Sequence, residues 1–155
     1  MISILLTIVA VVLLATLLVA GINYIPSTAY AERETKTLAQ TGFSVLSNAF
    51  SAYRIAKGAA PAVTTWDTDL TPRYGLMPKP PKNMTWTYGE NGTGGYWFCL
   101  SGTVGKVQYE GLANLQTLLQ DQVYFISDTC GATANGSLPS SYPASVAATY
   151  WVVAP

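Results

Sequence analysis

The chain opens with a long stretch that holds no charged side chain, because its first charged residue is Glu32. Apolar residues dominate Met1–Ile25, and hydroxyl groups at Ser3, Thr7 and Thr16 are among its few polar side chains. Apolar runs of more than about 18 residues are typical of helices that span a bilayer. As a helix with a rise of about 1.5 Å per residue, the stretch would be roughly 37 Å long. Because it has no polar face, it predicts a helix buried in lipid or in a bundle of like helices.

No lysine or arginine stands before this stretch. A secretory signal begins with a basic segment, and a membrane anchor usually has basic residues at its cytoplasmic end. We therefore expect that a basic leader preceding Met1 has been removed. The alternative is cleavage at Ala29-Tyr30-Ala31, which resembles the small-x-small pattern of signal cleavage sites.

Residues 27–58 predict an amphipathic helix that packs one stripe on a globular head. Apolar and small residues recur there at steps of three and four, and most charged residues lie elsewhere around the helix. Gly58, with Pro61 soon after it, is typical of a helix end. We expect one long helix from about Ile2 to Lys57, bent or loosened between Gly21 and Pro26. The predicted stripe consists of Leu38, Gly42, Val45, Leu46, Ala49, Phe50, Tyr53 and Ala56.

Residues 59–155 predict a β-rich head. Residues 59–82 are rich in proline and predict a long connecting loop with a turn of helix around Asp69. Alternating and turn patterns then predict four or five antiparallel strands laid on the long helix, which is an α+β fold. The predicted strands are Met84–Tyr88, Tyr96–Leu100, Lys106–Tyr109, Val123–Ser127 and Ala148–Ala154, and Glu110–Gln120 is a predicted short helix.

The two cysteines, Cys99 and Cys130, both lie in the head. In a protein outside the cytoplasm such a pair indicates one disulfide. Two buried free thiols are the alternative. A metal site is a weaker interpretation, because two thiols without histidine or a C-x-x-C motif supply too few ligands.

Together these features resemble a mature type IV pilin. The resemblance rests on the apolar N-terminal segment with Gly21 and Pro26 near its end, the amphipathic helix that continues it, and the small β-rich head with cysteines. An N-terminal Met1 is more similar to the type IVb subgroup. The resemblance implies the pilin fold, with a C-terminal region bounded by the disulfide. The chain departs from the family at the fifth position, where Leu5 stands in place of the usual glutamate.

The resemblance also implies a structural subunit of a surface filament that polymerises through its N-terminal helix. Residues 1–26 would anchor the chain in the inner membrane and then bundle with other copies in an extracellular filament. A prepilin peptidase and the pilus assembly machinery are the implied partners. Without a carboxylate at Leu5, we expect docking by packing and hydroxyl bonds. The residues assigned to assembly are Met1, Ser3, Leu5, Thr7, Thr16, Gly21 and Pro26.

The sequence predicts neither an enzyme nor a cofactor site. Without histidine, the usual serine or cysteine nucleophile–base pairs are excluded. Asp67 and Asp69 form an acidic pair in a proline-rich loop, which we interpret as solvated. The glycine-rich residues 89–95 lie between two predicted strands, which favours a turn over a phosphate-binding loop. Eight Lys and Arg balance eight Asp and Glu, so the charge does not favour a nucleic-acid-binding surface.

Three asparagines, Asn83, Asn91 and Asn135, begin N-x-S/T tripeptides and are possible glycosylation sites. An Asn-Gly pair, present at the second and third, is also an ordinary turn signal.

The alternative function is a binding module outside the cytoplasm with a single membrane anchor, such as a minor pilin, a pseudopilin or an adhesin. Aromatic side chains of the first predicted hairpin could stack on sugars or bases. The competing interpretation is that alternate members of this hairpin form core against the long helix. The aromatic residues concerned are Trp86, Tyr88, Tyr96 and Trp97.

Overall fold

The computed structural model describes residues 9, 11, 12, 27–119 and 123–154. The chain divides into two compact units, Met1–Tyr30 and Ala31–Pro155. In the first unit, Val9, Val11 and Val12 are helical and their side chains are exposed. The rest of the predicted helix from Ile2 to Pro26 lies outside the described residues.

The described chain from Ser27 onward contains three helices and four strands. The helices are α1 (Ser27–Lys57), α2 (Trp66–Leu70) and α3 (Lys106–Leu119). The strands are β1 (Met84–Glu90), β2 (Tyr96–Val104), β3 (Tyr124–Ser127) and β4 (Ala144–Val153). The predicted α+β class, the part of the long helix from Ser27 to Lys57 and the antiparallel sheet are confirmed.

The four strands form one antiparallel sheet in the order β1-β2-β4-β3. The central strands β2 and β4 pair over almost their whole length, with Leu100 opposite Ala148. The hairpin β1–β2 closes through a glycine-rich turn, in which Asn91 donates its N–H to the carbonyl of Gly95 at 3.1 Å. The interpretation as a turn is therefore confirmed for residues 91–95, whereas Gly89 and Glu90 are the last two residues of β1.

Each outer strand of the sheet is accompanied by a loop. Beside β1, the indole of Trp86 donates to the carbonyl of Pro78 at 3.0 Å. Beside β3, the amide oxygen of Asn135 accepts from the N–H of Ile126 at 3.0 Å, and the N–H of Gly136 donates to the carbonyl of Ile126 at 2.8 Å. Backbone groups of Ile126 that a further strand would use are thus already hydrogen-bonded.

One stripe of α1 packs on the sheet, as its amphipathic pattern predicts, but the stripe is centred differently. Phe43 and Ala39 are buried, whereas the predicted stripe passed through Leu38 and Val45, which are only half-buried. Ala56 is exposed, because the last turn of α1 extends beyond the buried stripe. The buried residues of α1 are Thr35, Ala39, Gly42, Phe43, Leu46, Ala49 and Phe50.

Aromatic rings from α1 reach several strands. The ring of Phe43 meets the indole of Trp86 edge-on at 5.0 Å between centroids, and that of Tyr124 at 5.8 Å. Nearer the end of α1, Phe50 packs 5.7 Å from Tyr96 and 6.2 Å from Phe98. Edge-to-face contacts of this kind add about 0.5–1.5 kcal/mol each to the burial of apolar area.

The predicted third strand at Lys106–Tyr109 is wrong, because these residues form the first turn of α3. The side-chain oxygen of Gln108 accepts from the backbone N–H of Gly105 at 3.1 Å, and Tyr109 donates its N–H to the carbonyl of Gly105 at 3.0 Å. This is the side-chain half of a capping box, which a Gln at the third helical position forms. The alternating run of four residues is in fact the start of a helix.

Gly42 allows α1 to approach β1 closely. A Cβ atom at this position would overlap the indole ring of Trp86. We predict that Gly42→Ala destabilises the head by about 1–3 kcal/mol, the usual cost of overpacking a core. The higher helix propensity of alanine, about 1 kcal/mol, acts in the opposite direction. The measurement is the denaturation midpoint of the full chain in detergent.

Ser44→Ala, at an exposed position of the same helix, is the control and should change stability by less than about 0.5 kcal/mol. Trp86→Leu removes the ring that the new methyl group would meet. The double variant Gly42→Ala/Trp86→Leu should therefore lose less stability than the sum of its single variants. Purely additive losses would contradict the contact.

Candidate functional site

The residues assigned to assembly lie outside the described part of the chain; they are Met1, Ser3, Leu5, Thr7, Thr16, Gly21 and Pro26. Within the same stretch the described side chains of Val9, Val11 and Val12 are 49%, 65% and 55% exposed. Among the described residues, no helix combines the length and the apolar character needed to cross a bilayer.

The predicted disulfide between Cys99 and Cys130 is confirmed, with the two Cα atoms 5.7 Å apart. Cys99 is fully buried in β2, opposite Thr87 and Thr149. The hydroxyl of Thr149 accepts from the N–H of Gly131 at 3.0 Å and donates to the Cys99 sulfur at 3.8 Å. The disulfide therefore links the chain after β3 to β2, a central strand of the sheet.

We predict that the double variant Cys99→Ala/Cys130→Ala unfolds with about 3–4 kcal/mol less free energy, since the bond closes a loop with a sequence separation of 31 residues. The measurement is chemical denaturation of the full chain without reductant. Reduction of the unaltered chain is the control and should lower its midpoint similarly. An unchanged midpoint in both experiments would show that the disulfide does not stabilise the head.

The three N-x-S/T asparagines are all exposed, but they differ in local structure. Asn83 has a positive φ of 63° at the entrance to β1. The amide oxygen of Asn91 accepts from the N–H groups of Thr93 and Gly95, both at 2.9 Å, so this side chain builds the hairpin turn. The amide oxygen of Asn135 accepts from the N–H of Ile126 and so fixes the loop beside β3. Glycosylation at these positions stays a prediction.

Both carboxylates of the acidic pair in α2 accept hydrogen bonds from neighbouring residues. The carboxylate of Asp69 accepts from the hydroxyl of Thr65 at 2.7 Å, and that of Asp67 accepts from the N–H of Thr68 at 2.9 Å. Within residues 27–119 and 123–154, no three His, Cys, Asp or Glu side chains lie close enough together to hold a metal ion.

The aromatic residues of the β1–β2 hairpin are mostly core. Tyr88 is buried and stacks parallel to Tyr96 at 6.2 Å. Trp86 and Trp97 are half-buried, and the Trp97 ring lies against Gly89 and Gly131. Burial raises the pKa of Tyr88, with further contributions from neighbouring charges. The interpretation of these rings as core is therefore favoured over an exposed stacking platform.

A groove of about 340 Å³ lies beside β3, and we call it the β3 groove. Its floor is the buried pair Ile126 and Val146, and its rim carries Leu138, 76% exposed, and the exposed carboxylate of Asp128. Tyr109 forms part of the wall, and burial, with the neighbouring Tyr142, raises the pKa of its hydroxyl. None of the residues that line the groove is a lysine or an arginine. The groove is therefore lined mainly by small polar residues, with a few apolar side chains and one carboxylate.

A second exposed feature is the segment Arg73–Lys79, which we call the basic loop. Its apolar side chains Leu76 and Met77 are 77% and 41% exposed, and the cationic residues at its two ends are exposed as well. It contains no acidic residue.

Sequence reasoning identified the connecting loop but missed the β3 groove. The groove is formed by β3, the start of β4, the loop between them and α3, which meet only in the folded chain. The exposed Leu138 in a small, polar loop was the one available signal.

Comparison with protein-family models, with curated proteins and with solved structures finds no match for this chain.

Proposed function

We propose that the protein is a structural subunit of a type IV pilus-like surface filament, with a head of the pilin type. The observation that carries the proposal is the uncharged stretch before Glu32, which precedes a head with a buried hydrophobic core. Burial of apolar area contributes about 25 cal/mol per Å², so such a stretch needs lipid or other copies around it.

The exposure of the three described valines in this stretch supports packing against lipid or against another copy of the chain. At roughly half exposed or more, they leave apolar area that a neighbouring helix or lipid would cover. In the proposed mechanism, the subunit is held in the inner membrane after leader cleavage by a prepilin peptidase. The assembly machinery then transfers it to the growing filament, where helices bundle in the core and heads form the extracellular surface.

The balanced charge of the chain fits this function. Eight cations and eight anions give a formal net charge of zero, which lowers the repulsion between neighbouring copies. A contact repeated with the same rotation and rise gives an open helical array instead of a closed ring. With Leu5 at the fifth position, docking in the core relies on packing and hydroxyl groups instead of an ion pair.

The first test is electron microscopy of material sheared from the surface of producing cells, with mass spectrometry of its N-terminal peptide. Filaments that contain this chain with a processed N-terminus would support the proposal. A chain that stays in the membrane fraction without filaments would contradict it and favour the tethered binding module.

A single charge in the apolar stretch should abolish assembly. We predict that Val12→Lys prevents filament formation, because a lysine at the centre of a membrane helix costs about 2.5–3.5 kcal/mol and would meet several copies of itself in a bundle. Val12→Ile is the matched control and should assemble normally. Filament yield in the sheared fraction is the measurement, and disulfide formation in the head reports on folding.

A further inference from the structure

Two Asn-Gly pairs, Asn91-Gly92 and Asn135-Gly136, lie in exposed loops of the head. In such a pair the backbone nitrogen of the glycine can attack the side-chain carbonyl carbon of the asparagine, because glycine has no Cβ atom to hinder the approach. The two pairs share this chemistry but differ in the hydrogen bonds around the reacting atoms. The reactivity of each pair therefore depends on its surroundings in the folded head.

The side chain of Asn91 is fixed by the hairpin turn that it builds. Its Oδ1 atom accepts from the N–H of Thr93 and from the N–H of Gly95, both at 2.9 Å. The bond to Thr93, two residues further on, closes an Asx turn around the peptide bond between Asn91 and Gly92. Such a turn holds the Cγ atom of the asparagine beside the nitrogen of Gly92, which is the arrangement from which that nitrogen attacks.

The same two hydrogen bonds stabilise the charge that this attack produces. When a nitrogen adds to Cγ of Asn91, negative charge develops on Oδ1. Two backbone N–H groups that already donate to this oxygen form an oxyanion hole, which is a major source of rate acceleration in acyl transfer. The turn thus supplies to its own asparagine the stabilisation that an acyl-transfer enzyme supplies to its substrate.

The attacking nitrogen at Gly92 is accessible. Gly92 is exposed and has a φ of 74°, and in the part of the chain that the structure describes its N–H donates to no acceptor. The nitrogen has to lose its proton to attack Cγ. Because that proton is not engaged in a hydrogen bond, its removal by hydroxide breaks no contact of the fold.

The second pair is protected by its contacts with β3. The N–H of Gly136 donates to the carbonyl of Ile126 at 2.8 Å, and Oδ1 of Asn135 accepts from the N–H of Ile126 at 3.0 Å. Loss of the proton from Gly136 would break the first bond and leave a negative nitrogen against a carbonyl oxygen. Among the described residues, Oδ1 of Asn135 also has this one donor, whereas Oδ1 of Asn91 has two.

We propose that Asn91 is a site of deamidation promoted by the hairpin turn itself. The nitrogen of Gly92 forms a bond to Cγ of Asn91, and the bond between Cγ and Nδ2 breaks. The Nδ2 group leaves as ammonia and carries away the equivalent of the proton that Gly92 loses. Water then hydrolyses the resulting succinimide at either of its carbonyl groups, which gives aspartate or isoaspartate at position 91. Water is the co-reactant, and no enzyme or cofactor takes part.

The reaction changes the head chemically and is independent of the filament proposal. It adds a carboxylate next to Glu90 in a chain whose formal net charge is zero. It also removes the side-chain amide to which a glycan at Asn91 would be attached. In the isoaspartate product the main chain gains one carbon atom, so the turn between β1 and β2 becomes longer. Conversion advances with the time that a chain has spent folded.

The test is peptide mass spectrometry of the full chain in detergent, incubated in mildly alkaline buffer and sampled over time. Conversion at Asn91 should be about tenfold faster than at Asn135, which corresponds to the one hydrogen bond that Gly136 has to break. The same incubation in denaturant is the matched reference, because both Asn-Gly pairs then lose their surroundings. Folding should speed the reaction at Asn91 and slow it at Asn135. Equal rates at the two sites of the folded chain, or a rate at Asn91 that folding lowers, would overturn the proposal.

A variant tests the part played by the N–H groups. Thr93→Pro removes one of the two donors to Oδ1 and leaves the Asn91-Gly92 pair in place, so conversion at Asn91 should slow by about tenfold. Thr93→Ala keeps the N–H and is the matched control, with an expected rate equal to that of the unaltered chain. Conversion at Asn135 in the same samples is the internal reference and should not change. An unchanged rate at Asn91 in Thr93→Pro would overturn the assignment of an oxyanion hole to this turn.

Discussion

The head is organised around one side chain, Phe43, which reaches three of the four strands. Its ring contacts Trp86 of β1, Tyr124 of β3 and Tyr150 of β4, so it bridges both outer strands of the sheet. The approach is possible because Gly42, the residue before it, gives the Trp86 indole space against the helix. Aromatic burial in the middle of α1 thus holds the helix to the sheet, and the positions of both outer strands follow from it.

The core also fixes the residues around the β3 groove and the basic loop. Tyr124 is fully buried, its hydroxyl donates to the carbonyl of Leu112 at 3.1 Å, and burial raises its pKa. This hydrogen bond joins β3 to α3, whose Tyr109 forms a wall of the β3 groove. Elsewhere on α1, Tyr53 and Ala49 contact the connecting loop at Tyr74 and Gly75. Groove and basic loop are therefore both built on residues that anchor the fold.

Much of this fold could be predicted from local sequence patterns. The spacing in α1, the alternation in β1 and the glycine-rich turn each act over a few residues, and the structure follows them. The predicted strand at Lys106 failed because a four-residue alternation is too short to distinguish a strand from the first helical turn, whereas the Gly105–Gln108 cap decides for the helix. The predicted stripe of α1 was misplaced because it took in Leu38 and Val45, which are only half-buried. It left out Phe43, although Phe43 stands three residues before the buried Leu46 and fits the same periodicity. The groove could not be predicted, since its walls are distant in sequence.

The hydrogen bonds made by Asn135 and Gly136 along β3 have a consequence for proteins kept at high local concentration. An outer strand with free N–H and carbonyl groups can recruit a strand from another molecule and begin cross-β aggregation. Here Ile126 is already bonded to the neighbouring loop, and prolines lie beside β1. At Ile126 this outer strand is therefore protected against amyloid-like stacking with a second molecule.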